Sequence, residues 1–146
     1  MSAKENEIHF VLGSSSNRRK ELLGQIGVFP DKIVKPNIEE NIFNKEVPLS
    51  YVKRMAMKKM DFVQNKYPES LILTADTVVT VGRRILPKTF LREELLSYLD
   101  LLSGRRHRVI TAFSISSPFF KTKVKHATSI VKFKRLTTEE KNFYSI

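Results

Sequence analysis

The sequence VLGSSSNRRKELL, residues 11–23, predicts a buried strand, a turn of small hydroxylated residues and a helix that opens with three cations. Cations in the first helical turn are unfavourable, because the helix dipole already places partial positive charge there. A bound anion would offset that cost, held by free backbone N–H groups, serine hydroxyls and the side chains of Arg18 and Arg19. The stretch therefore predicts a strand–turn–helix unit that binds a phosphate chain; the alternative is a solvated basic helix start.

The length and composition predict one soluble domain over residues 1–146. A chain of 146 residues can bury one sizeable core, and 41% hydrophobic with 28% charged residues is ordinary for a globular protein. The sequence has no apolar run long enough to cross a membrane. Its N-terminus lacks the charged and apolar regions of a signal peptide. With no cysteine, disulfides and thiolate metal sites are excluded, and a cytoplasmic location is the simplest interpretation.

The net charge is strongly positive. It amounts to +11, from 26 lysines and arginines against 15 acidic residues. Such an excess favours polyanionic partners, but it does not distinguish nucleic acids from nucleotides, and a lysine-rich proteome would produce it without any binding role.

Strands and helices alternate along the chain, which predicts a mixed α/β fold. Strands are predicted at Ile8–Leu12, around Lys32–Val34 and, buried on both faces, at Leu71–Val81. Three helices are predicted. The first carries Leu22, Leu23 and Ile26 on one face and ends at Gly27. The second runs from an N-cap at Ser50 to about Tyr67. The third is Thr89–Ser103, with Gly104 as its C-cap and an inward face of Leu91, Leu95, Leu99 and Leu102.

The last third of the chain predicts a hairpin and then a helix. His107–Ser116 and Lys123–Phe133 both alternate in polarity and are joined by a turn at Ser117-Pro118. The segment Thr137–Glu140 has the spacing of a capping box, which begins a helix. Only about two turns follow before the sequence stops, too few to persist without tertiary support, so a truncated domain is expected.

Asp76 lies inside an apolar run, where strands rarely bury a carboxylate without a partner. One interpretation is a functional carboxylate that binds a divalent cation or takes a proton from an attacking water. The alternative is an aspartate at a strand end or bulge that bonds nearby backbone N–H groups. The apolar neighbours favour the functional interpretation.

Glu39 and Glu40 form, with Asn37, an acidic cluster on a basic chain. Two adjacent carboxylates could hold Mg²⁺, which prefers oxygen ligands and keeps waters and phosphates as its others. On their own these residues are more typical of a solvated loop. The metal interpretation depends on the fold bringing them near Asp76.

Three other side chains are ambiguous in the sequence. Lys59 lies on the apolar face of the second predicted helix, so it either extends to the surface or directs its ammonium into a cleft. The rest of that face consists of Val52, Met55, Ala56 and Val63. Lys88 follows Arg83–Pro87 on a predicted loop, where an exposed cation is the simpler interpretation. His107 begins an alternating strand, which favours a structural histidine.

Six short segments, in order along the chain, carry the most specific signal. They are Leu12–Leu23, Pro36–Glu40, Arg54–Lys59, Thr74–Val79, Leu102–Thr111 and Phe133–Leu136. They resemble L-A-S-x-S-P-R-R-x-E-L-L, P-D-I-D-E, R-L-A-x-x-K, A-D-T-V-V, L-S-G-x-x-H-x-V-x-T and F-x-x-L, motifs of the Maf family of nucleoside triphosphate pyrophosphatases. Six motifs in the right order are far more specific than any one of them.

This resemblance implies a Maf/ITPase-like fold, a mixed twisted sheet flanked by helices, in a protein that forms a homodimer. It also implies hydrolysis of a nucleoside triphosphate, dTTP- or UTP-like, to the monophosphate and pyrophosphate with Mg²⁺ or Mn²⁺. Asp76 would accept the proton of the attacking water and bind the metal with Glu40, and Arg18 and Thr77 match positions that tune base choice. The residues implied to hold the triphosphate are Ser14, Arg18, Arg19, Lys59 and Lys88.

The sequence departs from the family pattern at several points. Asn17 replaces a proline, Asn37 and Glu39 replace two aspartates, and Pro87–Thr89 stands where the family commonly has G-K-P. The family's closing motif, K-A-G-x-Y-x-I-Q-G, has no counterpart in this sequence. Without it, exposed strand edges and reduced stability and activity are expected.

Two rival hypotheses stay open beside the hydrolase. A non-catalytic basic module would bind nucleotides or nucleic acid through Lys121–Arg135, with strong salt dependence and no need for Asp76. Nucleic acid is disfavoured as the partner, because Phe119, Phe120 and Phe133 are the few aromatic residues among these cations. An inactive remnant that does not fold would give a flat thermal melt.

Overall fold

A six-stranded mixed sheet forms the centre of the protein, whose computed structural model describes residues 9–145. Its strands are β1 (Phe10–Gly13), β2 (Lys32–Val34), β3 (Leu71–Val81), β4 (Arg84–Leu86), β5 (Arg106–Ser117) and β6 (Phe120–Lys132). Its helices are α1 (Asn17–Gln25), α2 (Pro48–Lys66), α3 (Arg92–Leu102) and α4 (Thr138–Tyr144). The predicted mixed α/β fold is confirmed; the predicted strand start at Ile8 and the N-terminal segment lie outside the described residues.

The order of the strands brings the turn formed by Ser14, Ser15 and Ser16, called the serine turn below, beside the middle of β3. The sheet order is β2-β1-β3-β5-β6, with β4 paired to β3. Strand β1 runs parallel to β3, and Gly13 at its end pairs with Thr74. Strand β3 runs antiparallel to β5, which sets Asp76 opposite Ala112 and Thr77 opposite Thr111. The end of β1 therefore lies two residues from Asp76 in register.

Helix α2 covers one face of the sheet and builds the core. Its predicted apolar stripe is confirmed, with Val52, Met55, Ala56 and Val63 fully buried and Lys59 among them. The predicted N-cap at Ser50 is wrong. The helix begins at Pro48 with Val47 as its N-cap, because proline suits the first helical position, where its missing N–H loses no bond and its φ is already helical.

The opposite face of the sheet is open, and this overturns the prediction that the third strand is buried on both faces. Strand β3 alternates between buried and half-buried residues instead of being buried on both faces. Helix α1 buries none of its residues, and Leu22 and Ile26 are exposed. The physical reason is a cavity of about 1350 Å³ that α1, β3 and α3 line.

The bounds of α3 and the segment before Lys88 also differ from the sequence prediction. Helix α3 begins at Arg92 instead of Thr89, and Leu91 caps it with its side chain exposed, while Leu99 and Leu102 are buried as predicted. Ser103 is its C-cap, and Gly104 follows in the left-handed conformation. The segment predicted as a loop before Lys88 contains β4, because Gly82 turns the chain back on β3 with φ of 58°.

The predicted hairpin and capping box are both confirmed. Strands β5 and β6 pair antiparallel along their length. Thr137 accepts a hydrogen bond from the Glu140 backbone N–H, and the Glu140 side chain accepts one from the Thr137 N–H, which begins α4. Within residues 9–145, no helix has the length and apolar content needed to span a membrane.

Gly13 tests how closely α2 packs on the sheet. A Cβ there would lie 2.7 Å from Val63 Cγ2 and 2.8 Å from Thr74 Cγ2, both fully buried. We expect Gly13→Ala to lower the free energy of unfolding by about 1–3 kcal/mol through overpacking. Gly24→Ala is the matched control, because its Cβ would meet only Phe29 at 3.6 Å. Urea denaturation measures both, and equal effects would contradict the packing argument.

Candidate active site

The serine turn after β1 is folded around the hydroxyl of Ser14. This side chain is buried, and its Oγ accepts from the backbone N–H of Ser16 at 3.0 Å. Arg19 reaches back from α1, and its Nη1 donates to the same Oγ at 3.2 Å. The turn therefore gathers a hydroxyl, a helix N-terminus and a guanidinium, which are groups that bind phosphate.

Arg19 also links the turn to β3 and β5. Its Nη2 donates to Thr77 Oγ1 at 3.3 Å, and the Thr77 and Thr111 hydroxyls hydrogen-bond each other at 2.9 Å. Burial lowers the pKa of Arg19, while the negative charges of Asp76 and Glu40 raise it. The guanidinium is thus partly desolvated, so its charge is less screened than at the surface.

A buried lysine joins the two predicted acidic groups. Lys59 Nζ lies 2.9 Å from Asp76 Oδ1 and 3.4 Å from Glu40 Oε1, and it donates to the Ala75 carbonyl at 3.3 Å. The Lys59 and Asp76 side chains are 8% and 5% exposed. Lys59 therefore does not extend to the surface. Asp76 lies in the middle of β3, not at a strand end or bulge as the alternative interpretation required.

Tyr51 holds the backbone of Glu40 against α2. Its hydroxyl donates to the Glu40 carbonyl at 3.1 Å. Burial, followed by the charges of Asp76 and Glu40, raises the pKa of Tyr51 to about 12. The phenol therefore stays protonated at neutral pH and remains a hydrogen-bond donor.

One cavity connects the predicted site residues. Six of them line it: Arg18, Arg19, Glu40, Asp76, Thr77 and Lys88. Ser14 and Lys59 lie behind its wall, bonded to Arg19 and Asp76. Arg18 and Lys88 are exposed, so they can move towards a ligand. Beyond the polar end, the lining is mostly aliphatic and aromatic, with Leu73, Val109 and Phe113 on the sheet.

The carboxylates of Glu40 and Asp76 suit a hard divalent cation. One oxygen of each carboxylate already contacts the same positive group, the ammonium of Lys59. Mg²⁺ is commonly held by one or two carboxylates, with substrate phosphates and waters as its other ligands. The described residues contain no cluster of three or more metal-ligating side chains, so waters, joined by phosphate oxygens once a substrate is bound, would complete the coordination of such an ion.

His107 is a buried structural residue, as its place in the sequence predicted. Its ring meets Phe133 edge to face at 4.9 Å. Burial lowers the pKa of His107, which favours the neutral imidazole. Among the described residues its Nδ1 has no hydrogen-bond partner, and it is not part of the cavity lining.

Three residues around the site were missed in the sequence interpretation. Tyr51 and Arg54 form hydrogen bonds to the acidic loop, which is residues 39–46, and the Thr111 hydroxyl hydrogen-bonds that of Thr77. Arg54 and Thr111 stand within motifs that the sequence analysis quoted, which was the available signal. A contact between a loop and a helix, or across two strands, is not encoded in local spacing. The sequence therefore could not predict which residues these three side chains contact.

The fold is a mixed α/β architecture that resembles those of Ham1 proteins. The structure resembles the Ham1 protein of Staphylococcus aureus with a TM-score of 0.55 and 18% identity, covering 84% of this chain and 70% of that one. It resembles a HAM1 protein of Coxiella burnetii with a TM-score of 0.53 and 13% identity, covering 86% and 73%. At these identities the likeness shows the fold alone.

The chain belongs to the Maf-like protein family, whose sequence model matches residues 9–145. It is 45% identical over 136 residues to a nucleoside triphosphate pyrophosphatase of Ehrlichia chaffeensis, covering 93% of this chain and 71% of the relative. It is 46% identical over 130 residues to a dTTP/UTP pyrophosphatase of Zymomonas mobilis, covering 89% of this chain and 64% of the relative. The family predicted from six motifs is confirmed.

Proposed function

We propose that this chain hydrolyses nucleoside triphosphates to nucleoside monophosphate and pyrophosphate. The observation that carries the proposal is the Asp76–Lys59–Glu40 group, with Asp76 and Lys59 buried, at the polar end of a cavity whose rim holds Arg18, Arg19 and Lys88. The Asp76 carboxylate and these cations line the same cavity, and ligands bind in concave sites of this kind. Two relatives more than 40% identical are named as pyrophosphatases of nucleoside triphosphates, which supports the same reaction.

The cations have the task of binding and orienting the triphosphate. Arg19 and the Ser14 turn present a fixed set of donors, because Arg19 is held at both ends by Ser14 and Thr77. Arg18 and Lys88 lie on the exposed rim and can close on the distal phosphates. Donors that are already in place when charge develops stabilise the transition state without reorganising.

Asp76 has the task of accepting a proton. A water oxygen attacks the α-phosphorus, the bond from that phosphorus to the bridging oxygen breaks, and pyrophosphate leaves with the electron pair. Asp76 takes the water proton, and Lys59 keeps its carboxylate oriented through the contact to Oδ1 at 2.9 Å. A positioned carboxylate of this kind contributes about 10²–10⁴-fold to the rate.

Glu40 and Asp76 are the residues that would hold a divalent cation, Mg²⁺ or Mn²⁺. When bound, the cation supplies positive charge that neutralises phosphate oxygens. Lys59 contacts both carboxylates in the protein itself and limits their mutual repulsion. The chain thus keeps two acids close together before any ligand arrives.

The preferred base is proposed to be thymine or uracil. The Zymomonas mobilis relative carries that specificity in its name, and Arg18 and Thr77 line the cavity of this chain. We further propose that the enzyme works in the cytoplasm, where nucleoside triphosphates are available. The homodimer stays a prediction, which sedimentation can measure.

The reaction is tested by identifying its products. We expect pyrophosphate and monophosphate in equal amounts from dTTP and UTP with Mg²⁺, faster than from dATP or dGTP, and no turnover in EDTA because the two carboxylates then lack their cation. Chromatography of the nucleotides with a pyrophosphate-specific assay measures this. Folded protein that releases orthophosphate instead, or that only binds polynucleotides with steep salt dependence, would contradict the proposal.

A further inference from the structure

We propose that Tyr51, Arg54 and Lys58 form a carbonyl clamp on α2, in which Arg54 is a positioning residue that keeps the Glu40 carboxylate beside Lys59 and Asp76. The clamp thereby sets the affinity of the site for its divalent cation. The effect on cation affinity rests on the proposed function, whereas the placement of the loop is independent of it.

The clamp holds three consecutive carbonyl groups of the acidic loop. Lys58 Nζ donates to the Glu39 carbonyl at 3.1 Å, the Tyr51 hydroxyl to the Glu40 carbonyl at 3.1 Å, and Arg54 Nη2 to the Asn41 carbonyl at 2.6 Å. Residues three and four apart on a helix share one face. One face of α2 therefore fixes the backbone on both sides of Glu40 and at Glu40 itself.

Arg54 also closes the far end of the loop. Its Nε and Nη2 donate to the two carboxylate oxygens of Glu46, each at 2.7 Å, and its guanidinium stacks on Phe43 at 3.7 Å. Glu46 Oε1 accepts in turn from the Phe43 backbone N–H at 3.1 Å. The loop from Asn41 to Glu46 is thus wrapped around one guanidinium.

This pair is stronger than an ordinary surface ion pair. The Arg54 and Glu46 side chains are 23% and 9% exposed, and the two-point geometry adds direction to the attraction. The hydrogen bond from Arg54 lowers the pKa of Glu46, and the same bond raises the pKa of Arg54. Both groups therefore stay charged at neutral pH.

The loop does not serve the core. Phe43 is 59% and Ile42 39% exposed, and Asn41 and Asn44 are exposed as well. A segment that buries so little apolar surface gains little from being ordered. What the clamp does fix is the position of Glu40, whose carboxylate lies 3.4 Å from Lys59 Nζ.

The experiment compares Arg54→Gln and Arg54→Lys with wild-type protein. We expect both variants to speed hydrogen exchange about tenfold or more at the Phe43 and Glu46 amides, which bond Glu46 Oε1 and the Phe43 carbonyl, because neither glutamine nor lysine can form the two-point contact and stack in the same way. We expect Mn²⁺ affinity without nucleotide, followed by electron paramagnetic resonance, to fall about tenfold, as when an outer-shell partner of a metal ligand is lost.

Lys66→Gln is the matched control on the same helix, since Lys66 lies over Phe62 at 4.5 Å and does not contact the loop; it should change neither readout. Tyr51→Phe removes one clamp bond with little change in packing. If an Arg54 variant does not fold, Tyr51→Phe is used for the same two measurements. Unchanged exchange in the loop would overturn the clamp. Faster exchange with unchanged Mn²⁺ affinity would overturn its link to the metal.

The two proposals fail in different ways. If wild-type protein releases no pyrophosphate from any nucleotide, the proposed function fails, while exchange and Mn²⁺ binding still decide for or against the clamp. If wild-type protein is active and the Arg54 variants keep both the loop protection and the Mn²⁺ affinity, the clamp fails and the hydrolase stands.

Discussion

Replacing Asp76 by asparagine is expected to lower kcat by about 10²–10⁴-fold, the contribution of a positioned general base. Asparagine has almost the same shape and keeps an oxygen that can accept from Lys59, which donates to Oδ1 at 2.9 Å. It cannot take up the water proton, and it removes one of the two carboxylates suited to the cation. The nucleotide KM should change far less than kcat, because other residues bind the triphosphate.

Pyrophosphate release at saturating dTTP or UTP and Mg²⁺ measures this effect. Asp61→Asn is the matched control, because Asp61 is an exposed aspartate on α2 and its replacement should leave the rate unchanged. An unfolding curve for each variant separates loss of chemistry from loss of fold. Asp76→Asn protein that is folded and keeps more than a tenth of the rate would show that another group takes the proton.

Periodicity predicted the parts of the fold in which one element covers another. The stripe on α2 repeats at helical spacing over Val52–Val63, and all of it is buried. The alternation of β5 and β6 predicted their pairing. In both cases the spacing of residues along the chain determines which side chains share a face of the helix or strand.

Periodicity failed where a face lacks a cover. The apolar residues Leu22 and Leu23 of α1, with Ile26 at its C-cap, have the spacing of a packed helix, yet they line the cavity instead. Strand β3 reads as buried on both faces, but α2 covers only one. Sequence spacing shows which residues share a face and does not show whether anything lies against it.

The site was predictable in its residues and not in its contacts. Asp76 and Lys59 each stood out as a charge among apolar neighbours, and the structure brings them together as an ion pair. Their link to Glu40 depends on how the loop before α2 is folded. That fold is decided by Arg54 and Tyr51 reaching back 13 and 11 residues, which no local pattern encodes.

Lys59→Met is expected to be the most destabilising change at the site. Methionine fills much of the same volume, but it leaves the Asp76 carboxylate buried with its cation gone, and the side chain of Asp76 is only 5% exposed. Removing one partner of a buried pair costs about 3–5 kcal/mol, because the remaining charge is uncompensated. Glu40 is 46% exposed and can turn to water, so most of the cost falls on Asp76.

The double variant Lys59→Met/Asp76→Asn separates a lost attraction from a stranded charge. Urea denaturation of the wild type, both single variants and the double variant forms a complete cycle. If the cost in Lys59→Met arises from the stranded carboxylate, the double variant should be more stable than Lys59→Met itself, because no charge is then left in the core. Additive destabilisation would mean that Lys59 acts through packing against α2 and the sheet. In that case the ammonium would not be what holds Asp76 in place, and the orientation of the proton acceptor would have to come from the strand alone.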